Sequence, residues 1–133
     1  MTVHDSITVS EAMTASVRTI DATATVKDAI RMMREHALSS LAVERRDEHD
    51  EYGLLVIADI AREVIARNRA AERVNVYEIM SKPVLTLSAD MKIKYAVRLL
   101  VRFDLARALV VDSGRRPVGI VTLRDMVLCY GDE

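Results

Sequence analysis

A set of residues in the first half of this chain returns in the second half, in the same order and at the same spacing. Val9, Glu11, Met13, Val17, Thr19, Ala22, Lys27, Ala29 and Arg31 recur as Val76, Glu78, Met80, Val84, Thr86, Ala89, Lys94, Ala96 and Arg98. Such a duplication constrains the fold more than composition can. A unit of about sixty residues buries too little surface to be stable by itself, so two copies are expected to pack together about a pseudo-two-fold axis. The seam between like-shaped units offers paired clefts, and function is sought there.

The 133 residues are half apolar and 29% charged, enough for one compact module with a real core. The 19 basic and 20 acidic residues are well mixed, so no general field favours nucleic acid or an anionic membrane. Cys129 is the only cysteine, which rules out a disulfide framework and fits a reducing cytoplasm. His4, His36 and His49 lack metal-ligand spacing, and no metal is expected. The N-terminus has no export signal, and no segment approaches the ~18 apolar residues of a membrane span, so a cytoplasmic protein without a membrane partner is expected. Tryptophan is absent and Phe103 is the only phenylalanine, leaving an aliphatic core and few stacking platforms for single-stranded nucleic acid. Catalytic constellations such as a Ser-His-Asp order, a phosphate-binding glycine loop or a cysteine–histidine pair are missing, and the chain is not expected to be an enzyme.

Val26, Ala29, Ile30 and Met33 mark one face of a helix, and Ile93, Ala96, Val97 and Leu100 repeat that stripe. Thr25 and Asp28 have the spacing of a capping box, but Lys92 replaces the capping threonine in the second copy. Extended segments are predicted at Val17–Ile20 and Val84–Leu87, and strand pairs at Leu41–Glu44 with Tyr52–Ile57 and at Ala108–Val111 with Val118–Leu123. Asp112-Ser-Gly supplies the turn of the second hairpin. Helices are expected to begin at the caps Asp59 and Asp125, the first running to Ala70 with Ile60, Val64 and Ile65 turned inward. The fold class is therefore α+β, two strand-helix-strand-strand-helix repeats, residues 1–70 and 71–133, forming one module.

With its openings Glu11-Ala-Met-Thr14 and Glu78-Ile-Met-Ser81 and its closing Gly119-Ile-Val-Thr-Leu-Arg-Asp125, this pattern resembles a tandem pair of cystathionine-β-synthase (CBS) domains. The resemblance implies a regulatory sensor of adenosyl ligands, AMP, ADP, ATP or S-adenosylmethionine, held in the clefts between repeats. It assigns phosphate and ribose to Thr122 and Asp125, with Thr14, Val17, Arg18, Leu38 and Ser39 walling the base; Arg124, next to the motif in sequence, is a candidate to meet the phosphate. Chemistry agrees: a carboxylate accepts from both ribose hydroxyls, a threonine hydroxyl donates, and a helix N-terminus favours an anion. The mirror site comprises Asp59, Lys82, Val84, Leu85, Leu105 and Ala106, but its motif carries Val56 in place of threonine, which makes it the weaker one. Lys82 is expected to compensate in part by reaching the phosphates as a point charge.

Capping alone accounts for an aspartate at positions 59 and 125, a role compatible with ribose binding. Arg62, Arg67, Arg69 and Arg73 alternate with Glu63 and Glu72 and read as a solvated face in preference to a nucleic-acid patch. Apolar helix faces in excess of one core, together with the resemblance, imply a homodimer and an unidentified protein effector. The alternative reading is a structural dimerisation or adaptor module whose ligand sites have decayed.

Overall fold

The computed structural model describes residues 6–15, 17–82 and 84–131. It is an α+β chain in which each repeat contributes a three-stranded sheet and its helices. Two compact units result, and their borders do not follow the repeats: one runs Arg18–Val84, and the other joins the segment ending at Val17 to the stretch beginning at Leu85.

In the Arg18–Val84 unit, β1 (Thr19–Ile20) runs parallel to β2 (Ser40–Val43), which pairs antiparallel with β3 (Gly53–Val56). The crossover from β1 to β2 is α2 (Val26–His36). Its capping box forms as the spacing predicts: the Thr25 hydroxyl accepts from the Asp28 N–H at 3.1 Å, and the Asp28 carboxylate accepts from the Thr25 N–H at 3.2 Å. Val26, Ala29 and Met33 turn into a core with Ile20, Leu41, Val43, Leu55, Ile60 and Val64. Added to this core are Val74, Val76 and Ile79, from the start of the second repeat. Val26 donates to the Val74 carbonyl at 2.8 Å and Val76 to that of Ala24 at 2.8 Å.

α2 ends at Ala37, held at φ 53° so that the Leu38 N–H can reach the Met33 carbonyl at 2.8 Å. A left-handed residue with a Cβ is strained, and glycine removes the clash at the cost of a more flexible unfolded chain. Ala37→Gly is expected to raise stability by about 0.5 kcal/mol, read as a higher urea midpoint at unchanged slope.

The helix after β3 departs from expectation. Its α-helical part, α3 (Ile57–Ile60), starts before Asp59, which sits in the first turn instead of at the cap, and a π-helical stretch follows over Ala61–Ile65. The wider π winding changes the phase of the apolar stripe. Ile60 and Val64 point inward, but Ile65 is 67% exposed.

The other unit repeats the plan with β4 (Thr86–Ser88), α4 (Ile93–Arg102), β5 (Arg107–Val111), β6 (Pro117–Thr122) and α5 (Leu123–Gly131). Again the first strand is parallel to the second and the third antiparallel, with a register shift at Val110/Val111. The β5–β6 turn is tied by the Asp112 carboxylate, which accepts from the N–H groups of Gly114 and Arg116. Lys92 gives α4 no side-chain cap, as its identity predicts. This core takes Ile7 and Val9 from the opening of the first repeat, where Val9–Ala12 forms a single helical turn, α1, not expected from the sequence. Among the described residues no helix is long and apolar enough to cross a membrane.

Candidate functional site

The exchange of opening segments shapes both closing motifs. Thr14 and Ile120 donate to each other's carbonyls at 3.0 and 3.1 Å, fixing the first repeat's opening against β6 just before Thr122. In the Arg18–Val84 unit Ser81 and Leu54 do the same at 2.9 Å each. Close approach explains the glycine of each motif. A Cβ on Gly119 would lie 2.5 Å from Met13 Sδ and 2.7 Å from the Thr14 carbonyl oxygen, and one on Gly53 would lie 2.9 Å from Met80 Sδ.

At the end of β6, the Thr122 hydroxyl accepts from the Asp125 N–H at 3.0 Å and so caps α5. The cap residue is thus Thr122; Asp125 stands in the first turn, correcting the expectation that this helix begins at the aspartate. With a lone pair committed to the helix, Thr122 keeps its O–H proton for an outside acceptor. Among the described residues no group donates to the Asp125 carboxylate, which is half-buried, and Arg124 beside it is exposed. The first-turn N–H of Leu123 is taken by the Ala106 carbonyl at 2.9 Å. Thr14 and Ala106 are thus bonded to residues flanking Thr122, Arg124 and Asp125, and the same unit also contains the half-buried Val17 and Leu85 and the exposed Leu105.

The equivalent motif in the Arg18–Val84 unit is arranged differently. Val56 has no hydroxyl to cap α3, and the Asp59 carboxylate instead folds back to accept from the Val56 N–H at 3.3 Å. Its other oxygen accepts from Arg62 Nη2 at 2.7 Å, and Asp59 is 7% exposed. Ser39 contributes its carbonyl to the Ile57 N–H at 3.0 Å, and Arg18 its carbonyl to Ala42 within the sheet. Leu38 lines an apolar groove of about 310 Å³ between α2 and α3 with Ile30, Ile57 and Ile65. Lys82 does not meet Asp59: its ammonium lies 2.6 Å from Asp50, by the end of β3 that starts at Gly53, whereas Asp59 follows the other end. The hydrogen bonds from Lys82 and from the Arg46 N–H hold the Asp50 carboxyl well below the usual carboxylate range. Val84 completes the set, half-buried, its N–H 3.3 Å from the Tyr52 carbonyl.

Sequence reasoning passed over Arg62, which it counted among solvated arginines. The i,i+3 spacing to Asp59 was the available signal. Its neighbours do pair with acids, Arg67 with Glu63 and Arg69 with Glu78. No cluster of three metal-ligating side chains occurs among the described residues.

Comparison with known proteins agrees with the duplicated architecture. The CBS domain family matches residues 9–66 and again 76–131. The Methanopyrus kandleri protein MK0525 is 32% identical over 92% of this chain, which spans 62% of that protein's length. Among solved structures, a hexameric CBS-CP12 protein from bloom-forming cyanobacteria is 35% identical with a TM-score of 0.86, covering 93% of this chain and 71% of that one. The CBS domain pair of protein MJ0100, in complex with 5′-methylthioadenosine and S-adenosylmethionine, is 26% identical with a TM-score of 0.75 over 93% of this chain and 99% of that one. Both halves of the sequence match one family in turn, and this chain belongs to the CBS domain family as a tandem pair.

Proposed function

We propose that this chain is a non-catalytic regulatory module that binds an adenosyl ligand at the closing motif of its second repeat. The observation that carries the reading is the state of Asp125: its carboxylate is left without a donor from the described residues, while Thr122 alone caps the helix. A ligand ribose would supply two hydroxyls to that carboxylate. The Thr122 proton, the N-terminus of α5 and the Arg124 side chain suit a phosphate or another polar 5′ substituent. The related MJ0100 pair, bound to two adenosyl compounds, supports this ligand class over others. Thr14 and Val17 belong to the unit that carries Asp125, whereas Arg18, Leu38 and Ser39 belong to the other.

Titration calorimetry with AMP, ADP, ATP and S-adenosylmethionine tests the proposal. Asp125→Ala removes two charge-assisted hydrogen bonds of ~1.5–3 kcal/mol each, so affinity should fall by more than about a hundredfold. Absence of binding at high micromolar concentration, or equal binding by the variant, overturns the reading.

Binding shifts a conformational equilibrium only through a difference in affinity between two states. In this reading ligand occupancy is passed to a cytoplasmic protein effector, and two copies of the chain pair through exposed apolar helix faces that include Ile57, Ile65, Val127 and Leu128. An adaptor role is the second reading. Val56 and the filled Asp59 favour it, and a melting temperature indifferent to all four compounds would establish it over the first.

A further inference from the structure

We propose that Arg62 plugs the first repeat's motif, so that the chain takes one adenosyl ligand and not two. The inference rests on the reading above but is tested separately. In the second repeat a threonine hydroxyl caps the closing helix and the aspartate is left over for a ligand. In the first, Val56 cannot cap, and both Asp59 oxygens are engaged within the same helical segment, one by the Val56 N–H and one by the Arg62 guanidinium at 2.7 Å. A ribose hydroxyl arriving there would meet a carboxylate side chain only 10% exposed, turned back onto its own helix and held by a charge-assisted bond that a neutral hydroxyl is too weak to break. The corresponding position in the second repeat, three residues beyond Asp125, is Leu128, whose side chain has no donor. Arg62 itself is 63% exposed in its side chain, so its removal should leave the core intact.

Equilibrium dialysis with labelled 5′-methylthioadenosine and AMP counts bound ligand per chain. These share adenine and ribose and differ in the phosphate, so the missing hydroxyl of Val56 is separated from the effect of Arg62. The unmodified chain should saturate at about one, Asp125→Ala at none, and Arg62→Ala at about two, at least with 5′-methylthioadenosine. The added site should vanish in Arg62→Ala/Asp59→Ala, and Arg62→Lys, which keeps the charge, should stay at one. An Arg62→Ala chain that is folded by its melting curve yet still saturates at one overturns the plug and leaves the Asp125 reading standing. So does an unmodified chain that saturates at two and drops to one with Asp59→Ala. If the unmodified chain binds neither compound, the Asp125 reading fails; Arg62→Ala then decides the plug by binding one ligand dependent on Asp59, or overturns it by binding none.

Discussion

Gly119→Ala is expected to lower the free energy of unfolding by about 3 kcal/mol, the upper range for forcing one methyl group into a packed contact. The added Cβ would sit 2.7 Å from the Thr14 carbonyl oxygen, a backbone atom with no rotamer to escape into. Relief requires moving the opening segment away from β6, and that breaks the paired Thr14–Ile120 hydrogen bonds. Gly53→Ala is the internal control. Its closest contact, at 2.9 Å, is the sulfur of Met80, and the Ser81 carbonyl oxygen is farther off at 3.2 Å, so a flexible side chain absorbs part of the strain. The loss there should be about half as large. Urea unfolding of both variants makes the comparison, and adding Met13→Ala to Gly119→Ala should recover little, because the backbone oxygen remains. Equal losses at the two glycines, or full recovery with Met13→Ala, would refute the backbone account.

Much of this architecture was legible because the duplication lets one copy explain the other. The stripe from Val26 to Met33 and its echo from Ile93 to Leu100 specify two helices, and the capping box at Thr25 and its absence at Lys92 follow directly from side-chain chemistry. Legibility fails where one local pattern serves two structures. The apolar spacing of Ile60, Val64 and Ile65 fits an α-helix, but a start without a hydroxyl cap and a π-helical stretch rotate Ile65 into solvent. Asp59 and Asp125 look like caps in sequence, yet in each case the helix begins earlier and the aspartate stands in its first turn. The difference between the two aspartates hinges on partners three residues away on either side: Thr122 or Val56 upstream, Leu128 or Arg62 downstream. Residue spacing shows those neighbours but not which oxygen each one occupies. The opening segments are a harder case still, since nothing in Val9-Ser-Glu-Ala12 says which copy of the core receives it.

Substituting Val9 with aspartate should disrupt a region distant in sequence and spare much of its own repeat. Val9 is fully buried among Leu87, Ile93, Leu100, Val121 and Met126, and its N–H donates to the Met91 carbonyl at 2.7 Å. A carboxylate there has no partner, and burial without one costs about 4 kcal/mol or forces local unfolding. Amide exchange should lose protection first over residues 85–131, with the amides of Arg18–Val84 retained longer. The mirror variant, Val76→Asp, should do the reverse. Val76 is fully buried with Leu41, Leu55 and Ile60, and the N–H of Tyr77 donates to the Ala22 carbonyl at 3.0 Å. Each substitution therefore strikes the repeat it does not belong to by sequence, because each repeat lends its opening turn to the core of the other. Loss of protection confined to the substituted residue's own repeat, or spread evenly over both ranges, would contradict this exchange. If the pattern holds, the opening segment that pairs with each closing motif comes from the opposite repeat, and Thr14 is bound to the stability of the unit that carries Asp125.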